Sequence, residues 1–584
     1  MLQAEPIQGV SDRPSTTLDR VQRGLVCVGA FLLPLVVLWP TNDPIVLPKL
    51  LMARALILLL ATLVLVRWLR GELKVRRTPL DLPILAYVAS AGLSTAFAAN
   101  VNLAFFGSYG RMEGFLTIAT YAALFWLTVQ AVSNPLEGRA AVRALLAGAF
   151  VVSLIAVLQA VAGGLTAGPT SSLARASATF GNSNALAAYL AMALPLGVNE
   201  YLRASSTSDR ILAGNAVAMV AIALVLTFGR GGWVGGVVGV TIVIATTRSS
   251  RRRLMVMGGA AAGLIAAIVL AIAFLGAGGA SVTQTTAARF LTLLDPTAGT
   301  GAIRLHIWKD TLGLIASRPL VGYGPDNFGL VFPTFQTGSW SALSLIDESH
   351  SELLQIAATQ GILGLAAFAW LCIAFVRLWW TGRKEMLASG VLGVCVGYLL
   401  TLLVNFSVVP AALPFWIFLG AGAVILQGDA ESRAPARPHR GRPLWLVAGL
   451  LAATLLSVVA IGLPSMAETK LHDSLIASAG GDRGRAASLA ADARSLQPQE
   501  QRYAATAGNL AMTDADWTAA RDAYMTAAKL GSFDPSVFRQ LAIADDHLGL
   551  HAEAVVAAER SVELNRFDPR NLTVLQGVRS GPPG

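Results

Sequence analysis

The chain has 584 residues, 54% of them hydrophobic and 13% charged, with a mean hydropathy of +0.61. That balance excludes a soluble globular protein of this length and describes an integral membrane protein. The formal charge of +10 does not argue for nucleic-acid binding, because the basic residues sit in short clusters between apolar runs, where membrane topology accounts for them.

A hydrocarbon core of about 30 Å needs about 20 apolar residues per helix. In chain order, runs of that kind fall near 24–40, 49–67, 80–98, 114–133, 143–163, 184–199, 211–228, 232–247, 254–276, 352–376, 386–405, 411–427 and 444–463. The first run follows Arg20 and Arg23 and holds Leu25-Val26-Cys27. It lacks the small residue a lipoprotein signal places before its cysteine, and it reads as a retained span. The three cysteines, Cys27, Cys372 and Cys395, all lie within apolar runs and offer neither a disulfide framework nor a CxxC zinc site.

Counted from an inside N-terminus, every strong basic cluster lands on one side of the membrane. These clusters are Arg67 to Arg77, Arg139 with Arg143, Arg203 with Arg210, Arg248 to Arg253, Arg377 to Lys384, and Arg433 to Arg442. The segments expected on the outer side are then Gly107–Glu113, Arg175–Asn184, Phe228–Gly232 and a polar island from Ser281 to His350. Ionisable groups held at a membrane boundary are costly and mark functional sites by default.

The outer segments carry Arg111, Arg175, Arg230, Arg304 and Arg318, with Glu348 and His350 at the end of the island. Arginine stays charged and forks onto oxygens in a bidentate way, which suits a diphosphate. Snorkelling to lipid headgroups serves Arg111 and Arg175 as well. Arg230 sits in the short glycine turn Phe228-Gly-Arg-Gly-Gly-Trp233, whose glycines are expected to let backbone approach a ligand closely. His350 titrates near neutrality and suits a general base, a helix cap being its other role. A metal site from His306, His350, Asp347 and Glu348 finds no HExxH or DxD pattern, so neither metal nor cofactor is expected. No G-x-S-x-G elbow or Walker A loop is present.

After Pro464 the composition changes, and from about Glu468 the chain is Ala-rich and charged at helical spacing. Phe533-Asp-Pro535 recurs as Phe567-Asp-Pro569, an offset of 34 residues that also pairs Leu530 with Leu564 and Ala520 with Ala554. That period is the tetratricopeptide signature, and such repeats stack into surfaces that bind peptides or proteins.

Four separated motifs resemble the O-antigen ligase and Wzy-type polymerase superfamily over about residues 24–427. They are Phe180-Gly-Asn-Ser-Asn184, the Phe228–Trp233 turn, Arg304-x3-Trp308 followed by Ser317-Arg-Pro-Leu-Val-Gly-Tyr-Gly324, and Glu348-Ser-His350-Ser-Glu-Leu-Leu-Gln355. The family often has His-Asn where this chain has His350-Ser351. The resemblance implies a metal-independent, inverting GT-C-type glycosyltransferase that passes a glycan from undecaprenyl diphosphate to a lipid, glycan or protein acceptor at the outer face of the bacterial inner membrane. It makes His350 the catalytic histidine and Arg230 and Arg304 the diphosphate ligands, with Arg111, Arg318, Glu348 and Asn184 as further substrate-binding candidates.

The expected organisation is an all-α polytopic bundle of about 12–13 membrane helices. It comprises an N-terminal tail at 1–23, a ligase-like domain at 24–427 with an outer loop at 277–350, a basic linker at 428–443, a last span at 444–463 and repeats at 468–580. Expected partners are the lipid-linked glycan, its acceptor, membrane lipids and a protein at the repeats. A transporter of lipid-linked sugars and a SEDS-type peptidoglycan polymerase share this general plan, although the outer acidic residues match no SEDS motif. A membrane-anchored tetratricopeptide scaffold is a further reading.

Overall fold

The computed structural model describes residues 17–166, 175–247, 300–338, 346–385, 387–428 and 444–580. The expected run at 254–276, residues 281–299 and 339–345 of the island, and most of the tail and linker lie outside the described residues. Those described form helices and connecting turns, with no strand among them.

The first helices are α1 (Thr17–Leu32), α2 (Val46–Leu69), α3 (Asp81–Ala96), the short α4 (Val101–Phe106), α5 (Phe115–Ala131), α6 (Pro135–Thr166), α7 (Ser183–Arg203), α8 (Thr207–Leu226) and α9 (Arg230–Thr246). After them come α10 (Thr300–Ser317), the one-turn α11 (Phe328–Val331), α12 (Glu352–Gly382), α13 (Ala388–Leu403) and α14 (Val409–Gln427). Six of these, α2, α6, α7, α8, α12 and α14, are long and apolar enough to cross a membrane; α5, α9 and α13 are shorter apolar helices.

The first apolar run is not helical throughout. The helix begins earlier, at Thr17, and ends at Leu32, because Pro34, Pro40 and Pro44 interrupt the ladder and Asp43 starts the next helix. The Asp43 carboxylate accepts from the N–H groups of Ile45, Val46 and Leu47, satisfying the exposed donors at the head of α2.

Two helices form the centre of the bundle. The apolar windows of α7 and α14 are 89% and 94% buried, against 33–39% for the other four long helices. Helix α9 crosses α13 through glycines spaced four apart. A Cβ on Gly239 would stand 2.7 Å from the Gly393 carbonyl oxygen, and one on Gly397 would stand 2.8 Å from that of Gly235. Small residues at this spacing let two apolar helices approach backbone to backbone, which aqueous hydrophobic burial cannot drive within lipid.

Helix α12 is broken at Gly361, where φ is +66° and ψ is −163°. The break frees carbonyls before it and N–H groups after it, and residues 319–324 take them up. Ile362 donates to Pro319 O at 2.8 Å, while Tyr323 and Gly324 donate to Ala358 O and Thr359 O at 3.1 and 2.8 Å. Gly322 and Gly324 both have positive φ, and a Cβ on Gly322 would collide with the Thr359 backbone. The Arg-Pro-Leu-Val-Gly-Tyr-Gly motif thus completes a broken helix. This places α10 beside the N-terminal half of α12.

The C-terminal region begins inside a helix. α15 (Leu444–Ala479) runs without interruption through Pro464, so the apolar run and the charged segment after it share one rod of about 54 Å at 1.5 Å per residue. α16 (Arg483–Leu496), α17 (Gln501–Thr513), α18 (Trp517–Lys529), α19 (Pro535–His547), α20 (His551–Leu564) and α21 (Pro569–Ser580) follow, each packing on the next. The 34-residue period recurs in the caps. Glu500, Asp534 and Asp568 each accept from the N–H two residues on, while Asp482 and Asp516 each accept from the N–H three residues on. Ala486, Ala520 and Ala554 are all fully buried at the same offset, where only a small side chain allows helices to close up.

Candidate functional site

Among the described residues, the segments expected on the outer side meet at one end of the bundle, and the basic clusters gather at the other. At the basic end Arg139 and Arg143 bind Glu200, Arg67 binds Asp19 and Gln22, Arg23 pairs with Glu137, and Arg76 donates to Val132 O and Ser133 O. At the opposite end the site is built from four segments.

The first segment is the turn at the head of α10. Arg304 and Trp308 are one helical turn apart and therefore share a face. The Trp308 indole donates to Ser349 O at 3.0 Å, which brings Arg304 to the segment that carries His350. This is the physical content of the R-x3-W spacing. Arg304 donates to Asn405 Oδ1 at 3.2 Å.

The second segment is the turn before α12. Gln355 accepts from Ser349 N–H at 3.0 Å, and the Ser349 hydroxyl donates to Ser351 O at 2.8 Å. Between them His350 has φ +54°, a left-handed conformation costly for a residue with a Cβ. Its ring lies 5.3 Å from that of Phe406. Burial pushes the imidazole down to about 4, the positive charges of Arg304 and Arg111 act in the same direction, and Asp347 opposes them. His350 is therefore neutral at pH 7.

The third segment is the pair of turns carrying Arg175 and Arg230. Arg175 donates to Thr227 O at 2.8 Å and to Asn184 Oδ1 at 2.7 Å, so Asn184 positions Arg175. Arg230 opens α9. The glycines beside it do not hold space for a ligand: a Cβ on Gly229 or Gly232 would run into Ala187, and one on Gly231 into Val404 and Asn405. They serve helix packing, and so press Arg230 towards the same Asn405 turn that receives Arg304. Burial lowers the pKa of Arg304, and the nearby charges of Arg230 and Arg175 lower it further. Three cations thus converge on one place beside a neutral histidine.

The fourth segment is the loop before α5. Asp326, with φ +57°, accepts from Ser108 N–H at 2.6 Å and from Arg111 Nε at 3.2 Å. Arg111 also pairs with Asp347 at 3.3 Å and with Glu348, and its guanidinium stands 4.8 Å from the Phe406 ring. Burial pushes the Glu113 carboxyl up to about 8, opposed by the charge of Arg111 and reinforced by Glu352; the Tyr121 hydroxyl donates to it at 3.0 Å.

Two cavities open on this region. An apolar groove of about 190 Å³ runs down between α5, α12, α13 and α14, lined by Tyr87, Phe368, Leu371, Cys372, Phe375, Leu392, Val396, Leu399, Trp416 and Leu419, with Arg111, Glu113, Glu348 and Glu352 at its polar end. A polar cavity of about 330 Å³ lies on the other side of Arg111, Glu113 and Phe406, which line both.

The structure brings together His350, Arg230, Arg304, Arg111, Glu348 and Asn184. It does not bring Arg318 to this cluster: its guanidinium stacks 5.0 Å from the Tyr323 ring, and it lines neither cavity. Sequence reasoning passed over Asp326, Asn405 and Phe406, which belong to no recognisable spacing and are recruited only by the fold. Among the described residues, no three His, Cys, Asp or Glu side chains gather in a way that could hold a metal ion.

Residues 215–369 match the O-Antigen ligase family model. The matched span holds Arg230, Arg304, Glu348 and His350 and ends within α12. It supports the resemblance carried by the motifs, and with it a membrane glycan ligase or polymerase of glycosyltransferase type. No curated protein matches the chain.

Proposed function

We propose that this protein is an inverting glycosyltransferase that moves a glycan from a polyprenyl diphosphate carrier to an acceptor hydroxyl at the outer face of a bacterial inner membrane. The observation that carries the reading is the convergence of Arg175, Arg230 and Arg304 beside a buried, neutral His350. Three guanidinium groups this close in a partly dry site act on one another unfavourably, and a diphosphate supplies the charge and oxygens that offset this.

In this reaction the acceptor oxygen attacks the anomeric carbon while His350 takes its proton. The bond from that carbon to the diphosphate oxygen breaks, and polyprenyl diphosphate leaves. The arginines stabilise the charge that grows on the leaving diphosphate, an effect worth about 3–4 kcal/mol for a well-placed donor. The apolar groove between α12, α13 and α14 accommodates part of the polyprenyl chain. Basic loops gathered at the far end of the bundle support a cytoplasmic position for that end, which leaves the site outside. The 34-residue caps and buried alanines support a tetratricopeptide reading for α15 to α21, with a peptide or protein as partner.

The test is glycan transfer from the lipid diphosphate in proteoliposomes. His350→Ala should lower formation of the new glycosidic bond by about 10²-fold or more. Transfer at the wild-type rate would remove the base, and movement of donor across the bilayer without a new bond would indicate a transporter.

A further inference from the structure

The polar cavity is unlike the apolar groove beside it, and the transfer of a glycan requires two substrates. Its lining brings Asp43, Asp347 and Asn182 together with Arg111, the exposed peptide edges of Gly110 and Gly181, and the ring of Phe406. Both glycines have positive φ, +85° and +66°; at Gly110 the space where a side chain would stand is open, while at Gly181 it is taken by Ile45. Arg175, Arg230 and Arg304 do not line it.

Charge decides what such a cavity takes. Arg111 is its one basic lining residue, and that guanidinium is already engaged by Asp326, Asp347 and Glu348. Asp43 and Asp347 add negative charge. An anionic group would meet carboxylates and no uncommitted cation; the Asp43 and Asn182 oxygens already accept from N–H groups at the heads of α2 and α7, which leaves the half-exposed Asp347 carboxylate to accept from a hydroxyl. An aromatic ring beside planar polar groups also suits the two surfaces of a pyranose, one apolar and one ringed by hydroxyls. At about 330 Å³ the cavity stands at the lower end of small-molecule sites, the size of a sugar unit or two.

Position decides what it would do there. Phe406 forms part of the wall and has the His350 ring 5.3 Å from its own on one side and the Arg111 guanidinium 4.8 Å away on another. Asp347 is three residues from His350 along the same turn. His350 itself lines neither cavity, so an occupant is held one side chain away from the base, across Phe406 and on the side away from the apolar groove.

We propose that this cavity is an acceptor subsite, built for a neutral sugar of the acceptor beside the hydroxyl that is presented to His350 across Phe406. The proposal rests on the glycosyltransferase reading and assigns it an acceptor class: an uncharged pyranose, in preference to a sugar carrying phosphate at the accepting end.

The experiment uses the full-length protein in proteoliposomes with its lipid diphosphate donor. The probes are octyl glycosides of neutral hexoses and the same glycosides phosphorylated on the sugar. Val408→Trp fills the cavity from its wall. Donor binding and the slow hydrolysis of donor by water report on folding and on the arginine cluster independently of the acceptor.

The expected result is that neutral glycosides act as acceptors or compete with the natural one, and the phosphorylated ones do so at least about 10-fold less well. Val408→Trp should abolish transfer to the glycoside, with donor affinity and hydrolysis retained. An unchanged acceptor KM in Val408→Trp overturns the subsite, as does equal or better use of the phosphorylated probes. Failure of every neutral probe to react or compete does the same. Absence of any donor consumption by the wild-type protein is a different outcome, and overturns the glycosyltransferase reading itself.

Discussion

His350 is held where a base would be weakest in the empty protein. Burial and the charges of Arg304 and Arg111 keep it near 4, which favours the neutral form but offers little thermodynamic pull on a hydroxyl proton. On the proposed reading, a bound diphosphate would offset the charge of Arg304 and raise the imidazole towards its ordinary range, so donor binding would arm the base. Transfer needs the unprotonated form, and the rate therefore falls as pH drops through the His350 pKa. Because kcat/KM reports the free protein and kcat the complex, the acid limb of kcat should lie at higher pH than that of kcat/KM. Arg304→Gln should move the limb of kcat/KM upward; a pH profile unchanged by that substitution contradicts the coupling. At this scale the motifs that hold Arg230, Arg304 and His350 were legible because each carries its own local spacing, and the structure brings the three residues to one place. Asn405, Asp326 and Phe406 were not, since their only distinguishing feature is what stands opposite them. Arg318 misled for the complementary reason: it belongs to a motif whose function is backbone hydrogen bonding.

Elements explain why those motifs exist in this form. The break at Gly361 and the clasp at 319–324 need each other, and both rely on glycine at positive φ. Gly361→Ala should destabilise the protein by about 2 kcal/mol or more, through left-handed strain and collision with the Leu320 carbonyl. A fall in the thermal unfolding midpoint in detergent would register it, and an unchanged midpoint would mean that the kink is not constrained by residues 319–324. Hydrophobic runs predicted helices well at this scale. Their ends were less legible, because a cap such as Asp43 or a continuous helix such as α15 is set by hydrogen bonds that apolar length does not encode.

Across the whole molecule, the C-terminal helices are seated on the same end of the bundle as the site. Glu468 is 1% exposed and accepts from Tyr109 at 2.8 Å, Tyr503 at 2.8 Å and Arg502 at 2.5 Å. Asn100 donates to Gly531 O at 3.3 Å, Arg566 donates to Gln336 O, and Leu330 packs into the core of the C-terminal helices. Tyr109 belongs to the loop that carries Arg111, so the two parts are joined next to the cavities. Glu468→Ala would leave the Arg502 charge and two tyrosine hydroxyls without their shared acceptor, a loss of about 3–5 kcal/mol for breaking a buried pair. Hydrogen exchange in residues 107–114 should rise in that variant; protection equal to wild type would show that the C-terminal helices do not hold the loop. The 34-residue period was readable from the amino-acid pattern alone. The seating was not, because it depends on isolated polar residues with no period.

Donor binding by the arginines and proton removal by His350 are separable, and one single-turnover measurement tests both in the same vesicles. Radiolabelled lipid diphosphate donor is bound to wild type, His350→Ala and Arg304→Ala, and the acceptor is then added. His350→Ala is expected to bind donor with wild-type affinity and fail to form product, while Arg304→Ala loses donor affinity. Rapid product formation by donor-loaded His350→Ala would contradict proton removal by His350.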